Sequence, residues 1–407
     1  MGSSPPRIGF WGNFGTWNWG NECTLQAAVA NVRLHLPAAE LVCFCSDPAD
    51  VEERHGIRAF PIGRAERRRR KSEGPGASAP PRLPARLLGP FRDWLDALRL
   101  VRRADLLLMT GTGMLADEGE GPFGLPYDMF RWAIAARLLG RRVAFASVGV
   151  EAIEHPLSRF FIRASLRLAH YRSYRDEQSR ERLRRMGLAV ERDPIYPDLA
   201  FSLPAELSAG RPSLPGRGAV AVGLYDYRGR GQGGSADADA YRRYLDQVAT
   251  FVQWLLGRGR EVRVVIGDLS YDEPVAADLR ASLEARGVEL RDRYRDDLAR
   301  SPAEVLQQLA GADLVVASRF HGILLSLFLG KPALSVSYDR KNDALMAEMG
   351  LGRYCQSIEE LDGRRLVEQF LDLESRAGEL GPALAERAKD YRARLEEQYR
   401  LLLGAGR

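Results

Sequence analysis

The sequence predicts an α/β protein made of two domains, each a parallel sheet with helices on both faces. Three observations predict it. Short apolar runs alternate with helical-period segments along most of the chain, the pattern of a parallel sheet. The 407 residues are too many for one ordinary core and fit two domains of a little under about 200 residues. The alternation breaks once, in a stretch rich in Pro, Ala and Gly at 203–218 that sustains neither period.

Residues 7–11 read as the first strand. Residues 22–36 follow as a helix with Leu25, Val29, Val32 and Leu36 at helical spacing, ended by Pro37. Residues 41–45 are the next strand, 91–103 a helix, 105–110 a buried strand, 128–139 a helix stopped by Gly140, and 143–148 a strand. The alternation continues through 156–169, 171–174 and 177–186. After the linker, placed at 206–218, a second series begins: strand 219–224, helix 241–256, strand 261–266 and helix 275–286. Ser301 as N-cap, Pro302 at the first helical position and Glu304 three residues after the cap start another helix. Strand 313–317, helix 322–329 and strand 333–338 come next, and 382–403 closes the chain as a long amphipathic helix. The domains are therefore set at 1–205 and 219–380, with a C-terminal helix in 381–407.

The composition, 45% hydrophobic and 28% charged, is that of a globular protein. The longest charge-poor runs, such as 322–330, fall short of the roughly 20 residues of a membrane span. Residues 1–7 lack the apolar core of a secretory signal, so a cytoplasmic location is expected. The four cysteines (Cys23, Cys43, Cys45, Cys355) show no CxxC spacing, and Cys43 and Cys45 alternate onto one strand face, which suits buried thiols better than disulfides or a metal. Net charge is +5, but only four of the 59 basic residues are Lys, and most Arg are scattered among Asp and Glu along helices. Nucleic-acid binding would want basic residues clustered on one face with interleaved aromatics, so no nucleic-acid partner is expected. One basic cluster stands apart: Arg64, Arg67 to Arg70 and Lys71, followed by a Pro/Gly/Ala stretch. It reads as a solvated, mobile insertion at about 64–90; the sharper alternative is a patch for peripheral contact with anionic lipid at the inner membrane face, or with a lipid-linked diphosphate.

In an open parallel sheet, ligands bind beyond the carboxyl ends of the strands. That rule selects 12–22, Gly111-Thr112-Gly113, Gly149, Arg175-Asp176, Gly223, Gly267-Asp268, 318–322 and 339–341. The strongest stretch is Ser318-Arg319-Phe320-His321-Gly322. Arg319 can pair two-pronged with a carboxylate or phosphate, the following helix N-terminus adds about half a positive charge, and His321 transfers protons near neutral pH. Gly322 would let backbone or ligand come close. Anion binding and proton transfer meet in one loop.

Ser318-Arg319-Phe320-His321-Gly322-Ile323, with Leu329-Gly330-Lys331-Pro332 and Tyr338-Asp339-Arg340-Lys341, resembles the C-terminal signature of the polysaccharide pyruvyl transferase family. Tyr174-Arg175-Asp176-Glu177-Gln178-Ser179 and Pro197-Asp198-Leu199-Ala200-Phe201 resemble its middle motifs, and the Gly/Asn-rich loop Gly12 to Glu22 resembles its N-terminal one. The motifs keep their order from residue 8 to about residue 350. Two departures, Asn21 where the family usually has Asp and Thr112 between Gly111 and Gly113, both lie in the half where the acceptor is expected. The two similar halves also resemble the paired Rossmann-like domains of GT-B glycosyltransferases, facing a cleft.

The resemblance implies phosphoenolpyruvate as donor and a pyruvate ketal on a sugar diol as product, the acceptor being a polysaccharide or lipid-linked glycan precursor. Phosphoenolpyruvate carries a phosphate and a carboxylate; Arg319, Arg175 and Lys341, with Ser318, are the expected donor contacts. His321 is the expected acid, because no other His falls in a motif. Asn13, Asn18, Glu22, Gly111 and Gly113 are expected on the acceptor side. Glu22, Asp176 and Asp198 are the candidate bases, each with a structural alternative as dipole partner, N-cap or turn former. No metal or cofactor is demanded. The alternatives are a GT-B-like glycosyltransferase using a nucleotide sugar and a non-catalytic glycan-binding partner. Oligomeric state is left open.

Overall fold

The computed structural model of the chain describes residues 5–63, 89–110, 113–117, 121–208, 218–227, 238–290 and 292–404. Gly111, Thr112 and most of the predicted insertion and linker lie outside the described residues. The chain divides into two compact units: Met1–Thr16 with Asn21–Leu203 and Ala393–Arg407, and Trp17–Gly20 with Pro204–Arg392.

The first unit holds β1 (Arg7–Trp11), α1 (Trp19–His35, its first two residues counting with the second unit), β2 (Glu40–Cys45), α2 (Pro48–His55), β3 (Arg58–Pro61), α3 (Gly89–Leu100), β4 (Leu106–Thr110), α4 (Leu125–Leu138), β5 (Arg142–Val148), α5 (Pro156–Leu168), β6 (Tyr171–Tyr174) and α6 (Glu177–Arg185). Its six strands are all parallel, in the order β3-β2-β1-β4-β5-β6. The central strands are buried on both faces and hence apolar throughout, as in Leu106-Leu107-Leu108-Met109. Phe44 on β2 packs against Trp132 on α4 with ring centroids 4.6 Å apart, at the centre of a core that includes Trp11, Leu107, Phe145 and Ile162.

The second unit holds β7 (Val220–Leu224), α7 (Ala238–Gly257), β8 (Val262–Ile266), α8 (Leu269–Ala285), β9 (Tyr294–Arg295), α9 (Pro302–Ala310), β10 (Leu314–Ala317), α10 (Phe320–Phe328), β11 (Ala333–Ser337), α11 (Arg340–Glu348), β12 (Cys355–Ser357) and α12 (Gly363–Ser375). Its sheet is again parallel and six-stranded, β12-β11-β10-β7-β8-β9. The rings of Phe251, Trp254 and Phe370 cluster between α7 and α12. The final helix, α13 (Ala377–Gly404), contributes residues up to Arg392 to the second unit and from Ala393 to the first.

Several helices start two or three residues earlier than predicted, but α8 starts six and α13 five residues earlier, each running through a proline. α8 begins at Leu269 because Asp268 caps it, its carboxylate accepting the Ser270 N–H at 3.1 Å, so Pro274 sits inside the helix instead of before it. α13 begins at Ala377 and contains Pro382. The short elements α2, β3, β9, α11 and β12 and the 13-residue helix α12 were not anticipated. α2, α11 and α12 are nonetheless signalled, by the capping carboxylates Asp47, Asp339 and Asp362.

The strand order reverses once in each sheet, between β1 and β4 in the first and between β7 and β10 in the second. These switch points open a crevice at the carboxyl ends of the strands, where ligands bind in such sheets. The loops after β1, β4, β7 and β10 carry, among the described residues, 12–18, 113–117, 225–227 and 318–319.

Candidate functional site

In the second unit, β10 feeds directly into α10. Ser318 continues the strand's register, its N–H bonding the Gly223 carbonyl at 3.1 Å, and Arg319 occupies the N-cap with extended backbone. The helix therefore begins at Phe320 rather than at Gly322, and His321 lies in its first turn. A methyl group on Gly322 would make only ordinary van der Waals contacts, with Ala317 at 3.5 Å, so that glycine serves no close approach. The glycine that does so is Gly20. A Cβ there would fall 2.7 Å from His321 Cε1 and nearer still to Nδ1, inside the ring's van der Waals envelope.

Gly20 is held in place by backbone. The Trp19 N–H donates to the Gly267 carbonyl at 2.9 Å, and the Leu269 N–H to the Trp17 carbonyl at 3.0 Å; Asn18 Nδ2 donates to Asp268 Oδ2 at 2.9 Å. Trp17 adopts φ +59°, a left-handed conformation that costs a bulky residue on the order of 1–3 kcal/mol. Those three bonds hold the segment in it. The turn after β8 thus clamps 17–20 so that Gly20 backs the imidazole.

Arg319 is mostly enclosed, with 12% of its side-chain surface exposed. Its Nε and Nη2 donate to Asp272 Oδ2 and Oδ1 at 2.8 and 2.7 Å, and its guanidinium lies 4.5 Å from the Tyr225 ring centroid. Asp272, with no exposed surface, also accepts the backbone N–H groups of Asp226 (2.9 Å) and Asp268 (3.1 Å). Burial works against the Arg319 charge, but the charge and hydrogen bonds of Asp272 outweigh it and raise the pKa, so the cation is permanent. Asp268 is pushed up, by burial first and by neighbouring Asp272, against the opposing pull of Arg319 and the Asn18 amide. Tyr225 stacks on Tyr338 at 4.3 Å, and Lys341 Nζ lies 5.1 Å from the Tyr338 centroid. The result is a layered stack, Arg319–Tyr225–Tyr338–Lys341, with a cation at each end, across the carboxyl ends of β7, β10 and β11. Lys341 enters from the first turn of α11, capped by Asp339. Beneath it, Ser318 is fixed by the Tyr244 hydroxyl (3.2 Å) and by Asn342 Nδ2, which donates to the Ser318 carbonyl at 2.9 Å; burial pushes the Tyr244 phenol up to about 12.

The remaining expected residues belong to the first unit. Asn13 accepts the Ser46 hydroxyl at 2.5 Å, and Asn21 Nδ2 donates to the Asn13 carbonyl at 3.0 Å. Glu22 is buried; it accepts the Gly15 and Thr16 N–H groups at 2.8 and 3.4 Å and lies 3.5 Å from His55 Nε2. Asp176 caps α6 through the Ser179 N–H at 2.6 Å, and Asp198 accepts the Ala200 N–H at 3.0 Å. Both also face Arg175, at 3.2 and 3.6 Å. Burial opposes the Arg175 charge, but Asp176, Asp198 and Glu151 outweigh it and raise its pKa. The guanidinium rests on Gly149, where a Cβ would fall 2.6 Å from its Nε. Three carboxylates, Asp176, Asp198 and Glu151, thus act on the Arg175 charge. Gly113 leaves room for the Glu151 side chain, whose Cγ would lie 3.0 Å from a Cβ there.

Ser318, Arg319, His321 and Lys341 thus come together with Asn18 in the second unit, whereas Asn13, Glu22, Gly113, Arg175, Asp176 and Asp198 lie in the first. Sequence reasoning missed Asp272, Tyr225, Tyr244, Asn342 and Glu151. Asp272 was signalled by its place four residues after the capping Asp268, one helical turn on. The tyrosines carried no signal, since a Tyr near a strand end is as often packing.

Two units, each a six-stranded parallel sheet with helices, define the fold class, and similar solved structures share it. A protein from Listeria monocytogenes assigned as a UDP-N-acetylglucosamine 2-epimerase aligns over 93% of this chain and 90% of its own at 11% identity, TM-score 0.61. The UDP-GlcNAc 2-epimerase of Neisseria meningitidis, bound to UDP-GlcNAc, aligns over 96% and 100% at 10% identity, TM-score 0.57. The glycosyltransferase SnogD of Streptomyces nogalater aligns over 98% and 100% at 18% identity, TM-score 0.54. At such identities the likeness is one of fold, the GT-B arrangement of two Rossmann-like domains. No curated protein matches by sequence. The profile of the polysaccharide pyruvyl transferase family matches residues 18–340, and the chain belongs to that family.

Proposed function

We propose that the chain transfers the pyruvyl group of phosphoenolpyruvate to two hydroxyls of a sugar, forming a pyruvate ketal and releasing inorganic phosphate. The observation that carries this reading is His321 in the first turn of α10, backed by Gly20 and one residue beyond the Arg319–Phe320 pair at the β10 switch point. Family membership supports the reaction class.

In this reading the His321 imidazolium gives its proton to the methylene carbon, which becomes the methyl group, while positive charge develops on the central carbon. One sugar hydroxyl adds to that carbon, its proton is taken by a base, and the base's proton then returns by way of solvent to His321, so the imidazolium is restored for the next turnover. The second hydroxyl replaces phosphate, which departs with that hydroxyl's proton. Arg319 and Lys341 meet the two anionic groups of the donor, with Ser318 beside them; Asp272 orients Arg319 so that its outer edge faces the donor. Arg175, enclosed by carboxylates, contributes to holding the acceptor side rather than an anion, together with Asn13, Glu22 and Gly113. Glu151 joins Asp176, Asp198 and Glu22 as a candidate base. The acceptor class is a polysaccharide or glycan precursor.

The test is incubation of the protein with phosphoenolpyruvate radiolabelled in the pyruvyl carbons and candidate glycans. Label in the glycan, released by mild acid as pyruvate and absent with His321→Ala, is the expected result. Phosphate release without label in the glycan overturns pyruvyl transfer, and turnover of a nucleotide sugar replaces it with glycosyl transfer.

A further inference from the structure

One face of the first unit is apolar where a polar surface is expected. On α4 and the turn before it, Phe123, Tyr127, Phe130, Ile134 and Leu138 recur every three or four residues, so they form one stripe along the helix. None of the five is buried; Phe123 is 60% and Leu138 70% exposed. The neighbouring helices extend the stripe. α3 exposes Phe91 and Leu95, and α5 exposes Leu157 and Phe160. The aromatic rings are continuous: Trp94 Nε1 donates to the Tyr127 hydroxyl at 3.0 Å, Phe123 meets Tyr127 and Phe161, and Phe130 meets Phe160 and Phe161 at 5.1–6.1 Å between centroids. Contiguous apolar patches of this kind on a protein surface mark interaction sites.

The charges around the patch select the occupant. The exposed or half-exposed faces of these three helices carry Arg92, Arg99, Arg137, Arg159, Arg163 and Arg167, against Asp96 as the exposed acid. α5 has three Arg and no acidic residue. A second copy of the chain meeting this face by two-fold symmetry would set one arginine-rich surface against another. An anionic surface accepts them, and aromatic side chains in a rim of Arg match the headgroup boundary of a bilayer. We propose that the α3–α4–α5 face docks the protein on an anionic lipid bilayer, resting on its surface; among the described residues no helix is long and apolar enough to cross one. The inference stands apart from the reaction proposed above.

The experiment is co-sedimentation of the full chain with phosphatidylcholine vesicles, with and without phosphatidylglycerol, at low and high salt. Expected is binding to the anionic vesicles alone, weakened by salt, and weakened about tenfold or more by Phe123→Ser with Phe160→Ser while thermal melting is kept. Should that pair impair folding, Arg159→Gln with Arg167→Gln gives the same readout from exposed positions. A chain that stays in the supernatant with anionic vesicles overturns the proposal. So does binding that neither variant set weakens, or a concentration-dependent dimer that the serine pair abolishes.

Discussion

Gly20 and His321 are matched surfaces: the imidazole occupies the space that any side chain at position 20 would need. Gly20→Ala must therefore push the ring away from the carboxyl end of β10. A displacement on the order of 1 Å costs about a hundredfold in rate when the displaced group reacts. The expected outcome for G20A is a kcat lowered by about that factor with the circular dichroism spectrum unchanged. Unchanged turnover would separate His321 from the chemistry.

Asp272 and Arg319 form a buried two-pronged pair whose acid also anchors two backbone N–H groups. Removing one partner leaves an uncompensated buried charge, at a cost of about 3–5 kcal/mol. Asp272→Asn is expected to lower the urea midpoint accordingly. A midpoint within experimental error of the wild type would mean that the pair contributes no net stability.

Arg319→Lys keeps the charge but not the fork. A lysine that satisfies Asp272 has no second edge to offer, so the KM for the donor rises while kcat changes less. An unchanged KM would assign Arg319 to the support of the site and not to the donor.

Gly149 supports Arg175 as Gly20 supports His321. Gly149→Ala should displace the guanidinium from Asp176 and Asp198. If the first unit binds the acceptor, the KM for the glycan rises and that for phosphoenolpyruvate does not. A rise confined to phosphoenolpyruvate would return Arg175 to the donor side.

The legible parts of the fold were those with a period or a cap. Long apolar strands such as β4 and helices such as α7 were visible because burial on two faces or one stripe leaves a pattern. The short strands β9 and β12 contain only Tyr294-Arg295 and Cys355-Gln356-Ser357, too few residues to show any alternation. In the site, Arg319 and His321 were visible because their residue types sit at a strand end. Their supports were hidden for another reason. Gly20 precedes His321 by about 300 residues, and Asp272 meets Arg319 through tertiary folding alone; no local pattern carries such a partnership.

Burial makes one solution property predictable. Cys23 and Cys43 are fully buried and their thiols are pushed up from 9.0 chiefly by desolvation; the phenols of Tyr244 and Tyr399 are likewise pushed up from 10.0. In the folded chain these groups keep their protons where the unfolded chain releases them. Above about pH 9 the unfolded state therefore binds fewer protons than the folded one, and stability falls as pH rises. Each fully protected group contributes up to about 1.4 kcal/mol per pH unit beyond its unfolded pKa, thiols first and phenols from about pH 10. Urea midpoints measured between pH 8 and 11 should be level at first and then decline with increasing slope. Native Cys23 and Cys43 should resist alkylation at pH 8 until urea is added, since a neutral buried thiol is a poor nucleophile. A midpoint that stays constant to pH 11, or rapid alkylation of these two cysteines in the native state, would contradict the burial on which this rests.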